Sequence, residues 1–122
     1  GAGRDHAPVQ AALGWLARNA PAQQLDDNPG FPADDPLAWN KGMLYYYHLA
    51  RARALRAAGL EALEGQAPWA PPLCEWLLGR QGRDGSWRND NPLMGEDQPE
   101  LATALAMLTM QELLPATEKG EK

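Results

Sequence analysis

The sequence predicts an all-α fold of two helical hairpins, four main helices in all. Three observations carry that expectation. Apolar residues recur at helical spacing in four separate segments. Loops rich in Pro, Gly and Asp, residues that stop helices and make turns, divide those segments. The segments also alternate in character: half-polar, apolar, half-polar, apolar. That is the pattern of outer and inner helices in a two-layer helical repeat.

The first helix is expected over residues 7–19, where Val9, Leu13, Trp15 and Leu16 give an amphipathic face and Ala20-Pro21 stops it. A polar loop follows, with Asn28-Pro29-Gly30 and Phe31-Pro32 as turn signals. The second helix is expected to start at Asp35, a good N-cap, with Pro36 at the first helical position where its missing N–H costs nothing. Its end is expected near Ala58, with Gly59 beyond. The third helix is expected from Pro71-Pro72 to near Gln81-Gly82, and the fourth from Pro99 to just before Pro115, with Glu100 at its positive end. Residues 101–110 carry no charge on any face, and residues 43–47 are similar, so both stretches are expected to be surrounded by protein. The polar tail, residues 115–122, is expected to be disordered.

Composition bounds the function. At 122 residues the chain fits a single module, and a hydrophobic fraction of 44% with five Trp is enough for a core. The net charge is −5 and no Lys/Arg run follows a phosphate backbone, so nucleic acid is not an expected partner. No apolar run reaches the roughly 18 residues of a membrane span. The one cysteine, Cys74, leaves neither an internal disulfide nor a cysteine-rich zinc site. Repeat 1 is expected at about residues 7–59 and repeat 2 at about 70–114. An echo supports this: Leu16-Ala17-Arg18-Asn19 returns as Leu78-Gly79-Arg80-Gln81. Such units stabilise one another by stacking. The expected partners are therefore the remaining repeats of a longer parent chain, or a second copy by self-association. The opening Gly1-Ala2-Gly3, without Met, is expected of either a processed product or a piece cut from something longer.

The most specific feature is Trp76-Leu77-Leu78-Gly79-Arg80-Gln81-Gly82-Arg83-Asp84-Gly85-Ser86-Trp87. Gln81 closes a helix whose last carbonyls lack partners, Asp84-Gly85 is a strong turn dipeptide, and Trp87 offers a flat apolar face to pack back over Gln81. This stretch resembles the QW motif of the terpenoid cyclase and protein prenyltransferase superfamily, of squalene-hopene cyclase type. Gln81 matches its Gln, and Gly85-Ser86-Trp87 its Gly-x-Trp. Residues 101–108 and 45–51 resemble inner helices of that family, whereas the first helix matches more weakly. The resemblance implies an α/α-toroid-like helical repeat in which Gln81, Gly85 and Trp87 form a structural clamp, not a catalytic group. It also implies an apolar concavity between inner helices, suited to an isoprenoid-like ligand. Trp39, Met43, Tyr46, Met107 and Met110 are the side chains expected nearest that cavity.

Catalytic signatures are missing. The family's Asp-x-Asp-Asp acid motif has two near misses, Gln24-Leu25-Asp26-Asp27 and Pro32-Ala33-Asp34-Asp35, which turn and cap geometry explain. No zinc or other cofactor is expected, because Cys74 has no His near it. On a continuous second helix Lys41, His48 and Arg51, with Asn40, fall within one quadrant. A His between two cations is held neutral, which suits a base or an anion clamp, but the plainer expectation is a stripe facing solvent or a neighbouring repeat. Asp90, Glu96 and Asp97, beside Asn89 and Asn91, are expected to lie in a solvated loop without calcium. The expected function is a non-catalytic scaffold or apolar-ligand-binding module. The competing expectation is a segment of a terpene cyclase whose catalytic acid lies outside these residues.

Overall fold

The computed structural model describes residues 5–114. They form five helices: α1 (Ala7–Asn19), α2 (Trp39–Gly42), α3 (Leu44–Ala57), α4 (Ala70–Arg80) and α5 (Pro99–Leu113). No β-strand occurs among the described residues, and the fold is all-α. The expectation of a disordered tail at residues 115–122 lies outside the described residues. No described helix is long and apolar enough to cross a membrane.

The helix ends mostly follow local chemistry. α3 stops where Gly59 takes φ +73°, and the Leu60 N–H bonds back to the Leu55 carbonyl at 3.1 Å. That left-handed residue is inexpensive only for glycine. α4 and α5 each carry Pro in their first turn, where an N–H would have no acceptor.

One boundary departs from expectation. Asp35 does not cap a helix; its Oδ1 accepts the Leu37 N–H at 2.9 Å in a local turn. Ala38 then adopts a left-handed conformation, φ 55°, and the chain makes only the single turn of α2 before breaking at Met43. The long second helix is thus two pieces, with a fresh N-terminus at Leu44.

The core is assembled from all the longer helices and the loops between them. α5 lies along α3 and against α4. Ala102 and Ala106 on α5 and Ala52 on α3 are fully buried, so small side chains let the two helices approach closely. Around them pack Tyr45, Leu55, Leu63, Trp69, Leu73, Leu77 and Trp87. α1 has no fully buried residue and adds only the edge of Leu13, Leu16 and Ala17, while Trp15 is 54% exposed rather than on its inner face. Gln66 ties that helix down, donating to the Ala17 carbonyl at 2.9 Å and accepting the Ala22 N–H at 3.0 Å.

α5 is amphipathic by size, not by polarity. Ala102, Ala106 and Thr109 turn inward, whereas Leu101, Met107 and Leu108 are exposed. The expectation that residues 101–110 are surrounded by protein therefore fails among the described residues. Tyr46 is likewise 53% exposed, against the same expectation for residues 43–47. An uncharged helix must be covered on every side only if enough chain exists to cover it.

Candidate functional site

The break at Met43 leaves three backbone N–H groups at the start of α3 without acceptors inside the helix. Glu96 supplies them. Its Oε1 accepts the N–H of Leu44 at 3.0 Å and of Tyr45 at 2.9 Å, and its Oε2 accepts that of Tyr46 at 2.9 Å. Asn89 Nδ2 is the fourth donor to the carboxylate, on Oε1 at 3.0 Å, and also donates to the Lys41 carbonyl at 2.6 Å. The Asn89 N–H also bonds the Glu96 carbonyl at 2.9 Å, which closes the 89–96 loop on itself. Glu96 is 1% exposed. The expectation of a solvated loop is thus wrong for Glu96 and Asn89. An anion at the positive end of a helix, with four N–H donors on its carboxylate, can be buried without a cation.

Beside this clamp lies an apolar groove of about 320 Å³, lined by Met43, Tyr46, Met94, Leu101 and Leu105, with Glu96 at its floor. Of the side chains expected to line a cavity, the structure brings Met43 and Tyr46 here. Trp39 instead stacks on Phe31, ring centroids 6.2 Å apart. Met110 packs against the core, and Met107 points outward, 60% exposed. Met94 enters the groove from the 89–96 loop that folds back to cap α3, and Leu101 and Leu105 enter from α5 packed along α3, both long-range contacts with no local signal.

A second, polar cleft of about 680 Å³ is lined by Asp26, Lys41, Arg80, Asn89, Asp90 and Asn91. Asp26 organises it: the carboxylate accepts from the Trp76 indole N–H and from Arg80, both at 2.9 Å, while its carbonyl accepts from Lys41 Nζ at 2.7 Å. Those donors, Trp76 first, hold the Asp26 carboxyl below its ordinary range. The near-miss acid Asp26 is therefore committed to anchoring the loop on α4.

The expected Lys41, His48 and Arg51 stripe does not form. Lys41 is exposed on α2, whereas His48 and Arg51 are 1% and 4% exposed on α3. Lys41 and the pair His48 and Arg51 thus lie on separate helices, and the pair is buried instead of facing solvent. His48 Nε2 lies 2.8 Å from the Leu25 carbonyl, so the ring donates there as the neutral tautomer. The ring sits between Tyr47 and Trp76, at 5.2 and 4.7 Å between centroids. Burial, more than the neighbouring Arg51 and Arg80, pushes the His48 pKa down to about 4.

The 76–87 segment forms a compact corner. Gly85, at φ +91°, makes the turn, and Gln81 Nε2 donates across it to the Gly85 carbonyl at 2.9 Å. The partnerless helix carbonyl is met by Trp87, not by Gln81: the indole N–H donates to the Leu77 carbonyl at 2.8 Å. The Trp87 N–H bonds Thr103 Oγ1 at 2.9 Å and so pins α5 to α4. Gln81 remains exposed, and Trp87 is 5% exposed. Cys74 is half-buried, and no cluster of metal-ligating side chains occurs among the described residues. Comparison with family models, with curated proteins and with solved structures finds no match for this chain.

Proposed function

We propose that this chain is a non-catalytic helical-repeat module of prenyltransferase and squalene cyclase type, which serves as a scaffold and holds an apolar ligand in the groove at the start of α3. The observation that carries the reading is the groove itself, with Met43, Tyr46, Met94, Leu101 and Leu105 around about 320 Å³. Methionine and tyrosine make an adaptable apolar wall. Beneath it the Glu96 bonds fix the backbone that carries Met43 and Tyr46, so the pocket wall is preorganised. The scaffold half rests on α5, whose exposed Leu101, Met107 and Leu108 offer an apolar edge of the kind that stacked repeats bury.

The test is displacement of a fluorescent apolar probe by an isoprenoid alcohol. Saturable displacement is expected from the intact chain, with at least about tenfold weaker binding in Leu101→Glu, where a charge enters the groove wall. That variant sits at an exposed position and leaves the core untouched. Equal affinity in the variant refutes the groove as the ligand site.

A further inference from the structure

The first turns of α3 hold a cluster that the groove does not use. Five buried polar atoms there have no hydrogen-bond partner: Tyr47 OH, His48 Nδ1, and Nε, Nη1 and Nη2 of Arg51. The ion pairs among the described residues belong to other groups, Arg53 with Glu112 and Arg80 with Asp26. Arg51 lies only over the Tyr47 ring, 5.8 Å from its centroid. A guanidinium that is 4% exposed with all its nitrogens unmatched is costly, and folded chains keep such a group chiefly where an anion meets it.

We propose that Arg51 and the Tyr47 hydroxyl receive a small oxyanion, the carboxylate or phosphate group of a ligand. Arg51 presents a planar fork of N–H donors that matches two oxygens of such a group, and Tyr47 O–H adds a third donor. The neighbouring His48 keeps an unpartnered lone pair on Nδ1, because its proton is on Nε2 against the Leu25 carbonyl. It can accept from a ligand hydroxyl or a protonated phosphate oxygen.

The cover over this cluster is the segment that carries Leu25, Asp26 and Asp27, which has no regular secondary structure. It is held by a few side-chain bonds, from His48 to the Leu25 carbonyl and from Lys41, Trp76 and Arg80 to Asp26. An anion reaches Arg51 when that segment lifts. The competing occupant is within the chain, the carboxylate of Asp27 on the same covering segment.

The experiment is a thermal and tryptophan-fluorescence titration of the full chain, with Trp76 as the reporter against His48. Inorganic phosphate and acetate are each compared with chloride at matched ionic strength. The expected result is a saturable rise of several degrees in the unfolding midpoint with phosphate or with acetate, and whichever ion responds identifies the ligand group. That response is expected to be lost in Arg51→Met and weakened in Arg51→Lys, which keeps the charge and loses the fork. Because phosphate stabilises proteins generally by exclusion, only the difference between wild type and variants counts. An equal rise in Arg51→Met overturns the proposal. So does a wild type that responds to neither ion, and a destabilised Asp27→Asn then identifies Asp27 as the partner. If Arg51→Met does not fold, Arg51→Lys and the fluorescence titration of wild type carry the decision by the same criteria.

Discussion

Glu96→Gln is the substitution that best isolates the force holding α3 in place. The variant keeps the size and shape of the side chain but offers one oxygen where there were two. If the amide oxygen takes the Oε1 position, the bonds from Leu44, Tyr45 and Asn89 survive, and the NH₂ group is left facing the Tyr46 N–H. One hydrogen bond to a charged group is then lost, worth about 1.5–3 kcal/mol. The interaction of the charge with the helix N-terminus, up to about 2 kcal/mol in a partly buried geometry, also goes. Opposing both is the relief of no longer holding a charge out of water. The net expectation is a loss of about 2–3 kcal/mol, against a total stability of about 5–15 kcal/mol for a domain. Urea unfolding followed by far-UV circular dichroism reads this as a midpoint lowered by about 1–2 M with an unchanged slope. Glu96→Ala leaves the three backbone N–H groups without an acceptor, takes one of two acceptors from Asn89 Nδ2, and is expected to cost more. A midpoint for Glu96→Gln equal to or above that of wild type would falsify the capping argument, because desolvation of the carboxylate would then outweigh its bonds.

Other expectations follow from the same bonds. Trp87→Ala is expected to cost about 3–5 kcal/mol as a buried aromatic deletion. Trp87→Phe should cost far less than Trp87→Ala, because it keeps most of the packing; loss of the bond to the Leu77 carbonyl contributes about 0.5–1.5 kcal/mol of that cost. Urea midpoints for the pair check this, and equal losses would show that the ring packing contributes nothing. His48 links stability to pH. Its pKa falls from 6.5 to about 4 on folding, so the unfolded chain takes up a proton that the folded chain refuses. Stability is therefore complete above the unfolded value and declines as pH falls toward 4, by about 2 kcal/mol between about pH 7 and pH 5. His48→Gln is expected to flatten that slope; an unchanged slope assigns the effect to another group. Arg80→Met, which removes the ion pair and keeps the Trp76 bond to Asp26, is expected to shift urea midpoints little, because the paired side chains are 42% and 73% exposed. A loss as large as that of Trp87→Ala would contradict this.

Several elements were legible in the sequence because their signals are local. Ala20-Pro21, Gly59, Pro71-Pro72 and Pro99 mark helix ends by backbone rules that act over a few residues, and α1, α4 and α5 stand where those rules put them. The turn at Asp84-Gly85 and the return of Trp87 to the end of α4 are equally local. Asp35-Pro36 misled because the same residues serve a turn as well as a helix start, and Ala38 settled the choice by going left-handed.

The site was less legible, and the reason is distance along the chain. Glu96 caps a helix about fifty residues before it, and nothing in its Pro-, Gly- and Asn-rich surroundings marks it as buried. Arg51 and His48 share a polar stripe in the sequence, but on α3 both are buried, His48 beneath a loop about twenty residues earlier that its helix does not announce. By itself, the sequence determined helix content, most boundaries and the Gly85–Trp87 corner, all of which depend on neighbours within a turn or two. Only the tertiary structure decided which charges are buried, because burial depends on what folds over a side chain and not on the residues beside it.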